Sequence, residues 1–444
     1  MRRRECISKM PGRQWFGAMF ALLAFACSDG ATPPTEQDTQ PQQGDTSEGR
    51  WVEASSSADV EAETERGLID QLVAIGYLQG SRDTRDRGVT IHDQTRAHAG
   101  LNLYSSGHAP EAILMDMNGK LVHRWHFPYK QAYGLLDKPN SNAQWWRRVA
   151  IFENGDLLAI YEGLGLIKID KDSNLIWSSP LHAHHDLEVQ PNGDIYVLTR
   201  KAHRVPRIDP EAPVLEDFVS ILSEHGKLRA EMSLLEAFEG SRFASLVRKD
   251  QMSGNGDLFH TNSITVLDDR FDKKNRIFGE GNILTSMNRM GVVAVINIRL
   301  GQVVWVRQTQ PIGQHDPQLL GNGNMLLFTN NMNARNDGTG DSRIEEFNPV
   351  SKALVWTYRG TEAQPFYSKY LGTAERLPNG NTLITESDAG RAFEVLPSGE
   401  IVWQFYNPNR AGDAAEFIAT LPEVIRLPVD FPTDWLRRES TAPN

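Results

Sequence analysis

The sequence predicts an all-β protein, a six-bladed β-propeller, and two repeated features indicate this fold. The first is an Asn-Gly turn followed by an apolar run, as in the segments 154–158 and 322–327. The second is a tryptophan that ends most units, at Trp125, Trp177, Trp305, Trp356 and Trp403. Units of about 40 to 50 residues, built from short β-rich runs between tight turns, are typical of propeller blades.

One unit lacks its closing tryptophan. The interval between Trp177 and Trp305 is more than twice as long as each of the other intervals, so it hides a degenerate unit. We identify this unit with the run 192–198 and the following turn at Gly226. Counting it gives six units, and the number of predicted blades follows from that count.

The first 26 residues are predicted to be a signal peptide (1–26), because basic residues precede an apolar stretch too short to span a bilayer. Cys27 follows directly, and the segment 23–27 looks like a bacterial lipobox with Cys27 as the lipid anchor, although Phe25 is unusual there. The alternative is cleavage to a soluble exported protein. Both predict export, to the periplasm or as an outer-membrane or cell-surface lipoprotein.

The rest of the chain divides by composition. Residues 27–57 are polar and predict a disordered tether. Residues 58–99 form a predicted helical N-terminal extension, in which Leu68, Leu72 and Ile75 recur on one face of a helix over 58–77. The propeller itself is predicted over 100–408, with a C-terminal tail at 409–444. The helical spacing of 216–222 and 234–247 predicts a helical insertion between blades three and four.

Charge and cysteine content exclude several classes of protein. The net charge of −11 argues against nucleic acid or an anionic membrane surface as a partner, so contact with a membrane is expected only through the lipid anchor. The chain has two cysteines, and removal of the signal peptide takes Cys6 with it. The mature chain would then contain no internal disulfide, and its stability must come from the core.

Histidines stand at the head of three units. They lie in His184-His185-Asp186 of unit three, His260-Thr261-Asn262 of unit four and Gln314-His315-Asp316 of unit five. Because the innermost strand of every blade lines the central channel, we expect these imidazoles to meet at one end of the axis. A single buried histidine is usually structural, but three at equivalent repeat positions indicate a functional site.

Two kinds of chemistry suit clustered imidazoles. Three neutral rings with an open fourth position could hold a catalytic zinc ion, which would make the protein a metal-dependent hydrolase. Alternatively, a neutral imidazole nitrogen can act as a nucleophile, while neighbouring donors stabilise an anionic group in transfer. The residues alone leave both possibilities open.

An ordered set of motifs extends through these units. It consists of His184-His185-Asp186, Phe259-His260-Thr261-Asn262-Ser263, Gln314-His315-Asp316, the stretch 376–384 and Gly390-Arg391-Ala392-Phe393-Glu394-Val395. Over residues 100–408 this set resembles the bacterial arylsulfotransferases that do not use phosphoadenosine phosphosulfate, a family of exported six-bladed propellers. Each motif alone is weak, but five in this order are fairly specific.

The resemblance implies roles for individual residues. His315 matches the nucleophile that becomes transiently sulfated to a sulfohistidine. His260 and Asn262 match the pair that would bind the sulfuryl oxygens and act in proton transfer to and from the phenolic oxygen. The remaining catalytic histidine matches His184 or His185, with His184 favoured and His185 then binding substrate. The implied partners are an aryl sulfate donor and a phenolic acceptor, and no cofactor or metal is implied.

One position departs from the family pattern. Members carry Ser-x-Arg after the His-x-Asn motif, whereas this chain reads Ser286-Met287-Asn288-Arg289. Because one step along a strand reverses the side chain's face, Arg289 reaches the substrate only if a local bulge restores it to the channel. Otherwise the site lacks this anion-binding group. That departure keeps open a non-enzymatic exported propeller that acts as a binding module, and a sulfatase-like hydrolase is a further alternative.

The adjacent pair Trp145-Trp146, followed by Arg147-Arg148, has a simpler interpretation. The indoles could stack on an aryl substrate, but a packing element at a blade edge is favoured. The arginines receive no role from the sequence.

Overall fold

The computed structural model describes residues 52–53, 80–82, 86–134, 140–252, 256–268, 276–309, 313–331, 341–412 and 414–436. Six antiparallel sheets of four or more strands lie within this part of the chain and confirm the six-bladed β-propeller. The signal peptide, Cys27, nearly all of the tether and the predicted helix at 58–77 lie outside the described residues. No helix in the described ranges is long and apolar enough to cross a membrane.

Blades two, four and five are each formed by a continuous stretch of chain, and blade three is continuous except for one outer strand. From the innermost strand outwards, blade two contains Arg148–Ile151, Leu157–Tyr161, Gly165–Ile169 and Leu175–Ser179. Blade three contains Ala183–Val189, Ile195–His203, Val214–Leu222, Leu228–Ser233 and an outer strand Val52–Glu53 from the predicted tether. Blade four contains Thr261–Val266, Ile283–Met287, Val292–Asn297 and Gln302–Gln308. Blade five contains Gln314–Leu319, Met325–Thr329, Arg343–Phe347 and Leu354–Arg359.

The remaining two blades join distant parts of the chain. Blade one contains Val424–Arg426 as its innermost strand, followed by Asn102–Ser106, Ala109–Met115 and Leu121–His126. Blade six contains Thr373–Arg376, Thr382–Glu386, Arg391–Val395 and Ile401–Tyr406, with Gly88–His92 added outside. A small sheet combines Gly80–Arg82, Phe417–Ala419 and Arg410–Ala411. The ring of blades is therefore closed by a strand that lies beyond residue 408, and strands occur at 80–82 and 88–92 within the extension.

The repeated turns have the backbone geometry that their sequence predicts. Gly155 and Gly380, each in an Asn-Gly turn between the first two strands of a blade, have φ of 84° and 88°. Glycine adopts this left-handed conformation without the steric cost of a Cβ atom. These turns connect the innermost strand of a blade to its neighbour and so repeat with the blades.

Four of the closing tryptophans connect their blade to the next one through the indole N–H. The indole N–H of Trp125 in blade one donates to Gly155 O in blade two at 2.9 Å. Trp177 donates to Glu224 O of blade three at 3.0 Å, and Trp403 of blade six donates to Met117 O of blade one at 2.9 Å. A large apolar ring with one polar donor suits a position between two packed sheets, which explains why the residue recurs.

Helices are few and short among the described residues. The α-helices are Tyr129–Tyr133 and Leu234–Glu239, and the 3-10 turns are Ser141–Gln144, Ala244–Leu246, Lys249–Gln251, Arg276–Phe278 and Asp434–Leu436. The helix predicted at 216–222 is wrong, because this segment belongs to the strand Val214–Leu222. That strand is buried on both faces, so its apolar residues do not alternate and their spacing resembles that of a helix.

The short helix Leu234–Glu239 lies between blades three and four and supports the segment that leads into blade four. Ser233 caps it by accepting a hydrogen bond from Glu236 N at 2.9 Å. Phe238 on its buried face stacks on Phe259, with ring centroids 5.8 Å apart. This packing fixes the backbone immediately before His260.

Candidate functional site

The histidine segments begin the innermost strands of three successive blades. His184 and His185 lie at the start of Ala183–Val189, His260 directly precedes Thr261–Val266, and His315 is the second residue of Gln314–Leu319. The ring centroids of His184 and His185 are 5.1 Å apart, and those of His185 and His260 are 4.9 Å apart. The imidazoles of blades three and four therefore lie in one cluster. The charge of His260 also helps to lower the pKa of His315, which belongs to blade five.

The backbone is left-handed at the start of each of these strands. His185, His260 and Asp316 have φ of 53°, 49° and 49°, a conformation that non-glycine residues rarely adopt and that costs free energy. At the same places the pairing of the first strand with the second shifts its register. Each innermost strand thus begins with a bulge, a feature that redirects side chains and is common next to active sites.

His315 is held in one tautomer by Asn330. Its Nδ1 lies 2.6 Å from Asn330 Oδ1, while the amide nitrogen of Asn330 donates to the backbone oxygens of Ser368 and Leu371. These two bonds fix the amide orientation, so its oxygen must accept the proton of Nδ1. Burial, with added effects of Arg147 and His260, lowers the pKa of His315 to about 3. The ring is therefore neutral near pH 7, with a lone pair on Nε2.

His260 has a carboxylate partner instead. Its Nδ1 lies 2.5 Å from Asp257 Oδ2, and its backbone N–H donates to Asp257 Oδ1 at 3.0 Å. Burial alone would raise the pKa of Asp257, but His260, Arg200 and Arg289 together outweigh burial and lower it. A carboxylate in this position orients the imidazole and stabilises the imidazolium that forms when the ring takes up a proton. Of the site histidines, His260 is also the most exposed, at 17%.

Asp217 adds a second buried carboxyl group to this part of the site. It accepts a hydrogen bond from Thr261 N at 2.8 Å and lies 3.5 Å from His184 Nε2. Burial, together with the charge of Asp257, raises the pKa of Asp217. Asp217 and Asp257 therefore differ in proton affinity although both are buried beside the same histidines.

His184 and His185 form a neutral pair. Their Nδ1 atoms are 2.9 Å apart, so one ring donates and the other accepts. Burial, followed by the charges of Arg200 and His260, holds the pKa of His184 well below its ordinary value. Burial and the charge of Arg147 do the same to the pKa of His185. Of the two rings, His185 is the one next to His260.

Glu162 faces this pair from blade two. Its carboxylate lies 3.2 Å from His185 Nδ1, and the three residues Glu162, His184 and His185 have ligand atoms within 4.8 Å of one another. This is a donor set that a metal ion could use. However, Arg200 Nη2 and Arg147 Nε lie 3.8 Å and 4.0 Å from the same carboxylate. Two guanidinium groups beside these ligands disfavour a further cation and favour an anion.

The two predicted substrate-binding residues of blade four differ in burial. Asn262 is buried and its amide nitrogen donates to Gln314 O at 2.8 Å, which connects blade four to blade five. The strand Ile283–Met287 ends before Asn288, so Arg289 lies in the following turn and is exposed. The pairing of this strand with Val292–Asn297 contains no register shift. The bulge considered for Arg289 is therefore absent from this strand pair, although Arg289 still helps to lower the pKa of Asp257.

Arg148 forms the inner limit of the site. Its Nε lies 3.0 Å from Asp186 Oδ1, and its Nη1 pairs with Glu423. Glu423 and Asp316 also line a cavity of about 450 Å³ at the opposite ends of the innermost strands. The histidine cluster and this largely apolar cavity thus lie on two sides of one layer of ion pairs.

Several residues of this site received no role from the sequence. They are Arg147, Glu162, Arg200, Asp217, Asp257 and Asn330. Most of them come from second or third strands or from the loops between blades, where no motif marks them. Arg147 had a usable signal, because it directly precedes the innermost strand of blade two just as His260 precedes that of blade four.

Solved structures that are similar to this one share low sequence identity with the chain. A protein of unknown function from Bacteroides caccae has a TM-score of 0.47 and 14% identity, over 74% of this chain and 98% of that one. A catalytically inactive virginiamycin B lyase from Staphylococcus aureus has a TM-score of 0.39 and 10% identity, over 73% and 88%. A streptogramin B lyase structure has a TM-score of 0.40 and 11% identity, over 79% and 96%. At this similarity none of them bears on the chemistry.

The sequence itself gives a clearer result. No curated protein matches the chain. The family model described as Arylsulfotransferase (ASST) matches residues 148–408, from the innermost strand of blade two to just past the last strand of blade six. This range contains all the histidines of the cluster and covers more than half of the chain. The chain belongs to the arylsulfotransferase family.

Proposed function

We propose that this protein moves a sulfuryl group from an aryl sulfate ester to a phenol through a sulfated His315. The observation that carries the proposal is the contrast between His315, neutral and fixed by an amide, and the neighbouring His260, paired with a carboxylate. The first arrangement suits a nucleophile, and the second suits an acid and base.

The first half of the reaction loads the histidine. The lone pair of His315 Nε2 attacks the sulfur of the donor, and the bond between sulfur and the aryl oxygen breaks. His260, doubly protonated beside Asp257, gives its proton to the leaving oxygen, so that a neutral phenol departs. The proton on His315 Nδ1 stays in its hydrogen bond to Asn330 Oδ1, which stabilises the positive charge that develops on the sulfated ring.

The second half returns the enzyme to its starting state. His260, now singly protonated, takes the proton of the acceptor phenol, whose oxygen attacks the sulfur. The nitrogen–sulfur bond breaks and its electron pair returns to His315 Nε2. No electrons leave or enter, and the proton balance closes over the two halves. His185, whose ring contacts His260, is better situated than His184 to border the substrate.

The test is transfer from 4-nitrophenyl sulfate with and without phenol. The proposal expects nitrophenol release that depends on phenol and parallel lines in double-reciprocal plots, because the two substrates react in separate steps. Release in water alone, unaffected by phenol, would indicate a sulfatase. Loss of activity with a chelator and its return with zinc would indicate a metal-dependent hydrolase.

One observation favours a second candidate, a binding module without catalytic activity. Arg289, the arginine that the resemblance assigns to the substrate anion, is exposed in a turn. A protein that binds aryl sulfates without turning them over would show saturable binding of 4-nitrophenyl sulfate but no nitrophenol under any of these conditions.

A further inference from the structure

Blade two contributes a basic residue at the beginning of its innermost strand, where the next three blades contribute histidines. Arg147 directly precedes the strand Arg148–Ile151, and His260 directly precedes Thr261–Val266. The backbone of each residue continues the pairing of its strand with the second strand of the blade. Arg147 N donates to Ile160 O at 2.8 Å, and His260 O accepts from Asn288 N at 3.1 Å. Four successive blades thus present basic side chains at one end of the channel.

The guanidinium group of Arg147 lies within this cluster. The residue is only 2% exposed, and its Nε is 4.0 Å from the Glu162 carboxylate that also contacts His185. That distance exceeds a hydrogen bond, so the attraction between Arg147 and Glu162 is electrostatic, and a guanidinium group carries five N–H donors in a planar fork. The charge of Arg147 also acts on His315, since it contributes to the lowered pKa of that ring.

The neighbouring arginines are arranged differently. Arg148 is bound on both sides, by Asp186 and by Glu423, and it lowers the pKa of His315 less than Arg147 does. Arg200 also faces Glu162, at 3.8 Å, and lies against Gly163 on the side of blade three. Arg289 is exposed in its turn. Three of these four arginines are buried. Arg147 is the one whose charge lowers the pKa of His315 most.

We propose that Arg147 binds the oxygens of the sulfuryl group at His315, in place of the arginine that the family pattern puts on the strand occupied here by Asn288. The inference rests on the proposed function for the identity of the anion. Its chemistry is general, because a guanidinium group matches the oxygens of a sulfate ester with paired, charge-assisted hydrogen bonds. Glu162, which faces both Arg147 and Arg200, acts as the positioning residue for this guanidinium.

The experiment compares Arg147→Gln with Arg147→Lys, Arg289→Gln and the exposed Arg299→Gln as a matched surface control. Transfer from 4-nitrophenyl sulfate to phenol is measured, and so is the rise in melting temperature that inorganic sulfate causes. We expect Arg147→Gln to lose transfer on the order of 100-fold and to lose the response to sulfate. Arg147→Lys should recover part of both, because it restores the charge without the paired donors. Arg299→Gln should behave as the wild type.

Each outcome decides the inference. Normal transfer and a normal sulfate response in Arg147→Gln would overturn it, and so would loss of both in Arg289→Gln alone. If the wild type transfers nothing but sulfate stabilises it and not Arg147→Gln, the anion site stands while the proposed function fails. Should Arg147→Gln not fold, Arg147→Lys decides: unchanged transfer and sulfate response there would show that paired guanidinium donors are not required.

Discussion

His315 and His260 occupy similar places in adjacent blades, yet their partners differ in charge. Asn330 offers His315 a neutral amide oxygen, whereas Asp257 offers His260 a carboxylate. An amide fixes the tautomer and favours the charged ring only through one neutral hydrogen bond, which raises the pKa of His315 less than burial lowers it. A carboxylate fixes the tautomer and adds a full negative charge that stabilises the imidazolium. The comparison teaches that one repeated position can be adapted for nucleophilic attack or for proton transfer by changing a single neighbour.

The largest effect on this contrast is expected from Asp257→Asn, which gives His260 the kind of partner that His315 has. Transfer from donors with poor leaving groups, such as phenyl sulfate, should fall about 1,000-fold, because the leaving oxygen then needs a proton that His260 no longer holds. Transfer from 4-nitrophenyl sulfate should fall much less, because nitrophenolate leaves without help. Initial rates over a series of substituted donors measure this difference, and an equal loss for all of them would contradict the assigned role.

The reverse exchange, Asn330→Asp, should act on pH dependence. A carboxylate beside His315 favours its protonated form, so the acidic limb of the rate profile should move to higher pH. A rise of about one to three units from a pKa of about 3 would bring it to roughly 4 to 6. We therefore expect up to about a tenfold loss near pH 5 and little change near pH 8. Because this substitution also removes the amide donors to Ser368 O and Leu371 O, Asn330→Ala is the control. An alanine should lower the rate at every pH, and identical profiles for the two variants would remove the electrostatic explanation.

A smaller effect concerns stability. The folded-state pKa of His315 is about 3, below the ordinary value of an unfolded histidine, so the unfolded chain binds an extra proton in acid. The free energy of unfolding should therefore fall as the pH drops from about 6.5 toward 3, by about 1.4 kcal/mol per unit for this residue. His315→Gln should make that decline less steep. Denaturant titrations between pH 4 and 7 check this, with His225→Gln, in a turn of blade three, as the exposed control.

Local patterns made the fold predictable from the sequence. The Asn-Gly turns and the closing tryptophans can each be recognised from a few neighbouring residues. They predicted six blades, and the structure confirms that number. The error at 216–222 arose because Val214–Leu222 is a strand buried on both faces, whose apolar run carries no alternation. The strand Val424–Arg426 is three residues long and carried no sequence signal, although it completes blade one.

The site was less predictable, for a physical reason. The histidines could be found because they occupy repeated positions. Two of their partners could not, because Glu162 reaches His185 from blade two and Asn330 reaches His315 from the end of the next strand. Asp257 lies only three residues before His260, but no motif marked it. These partners give His315 a neutral amide oxygen and His260 a carboxylate. The sequence thus located the imidazoles, and the tertiary structure distinguished them.

The central claim is that the sulfuryl group passes through His315. The most direct measurement is mass spectrometry of the protein after incubation with 4-nitrophenyl sulfate in the absence of an acceptor. We predict one added sulfuryl group per chain, located on His315, removed by phenol and absent from His315→Asn, which should also lose transfer by about 10,000-fold or more. An unmodified wild-type protein that still transfers, or an adduct on another residue that phenol removes, would contradict the account.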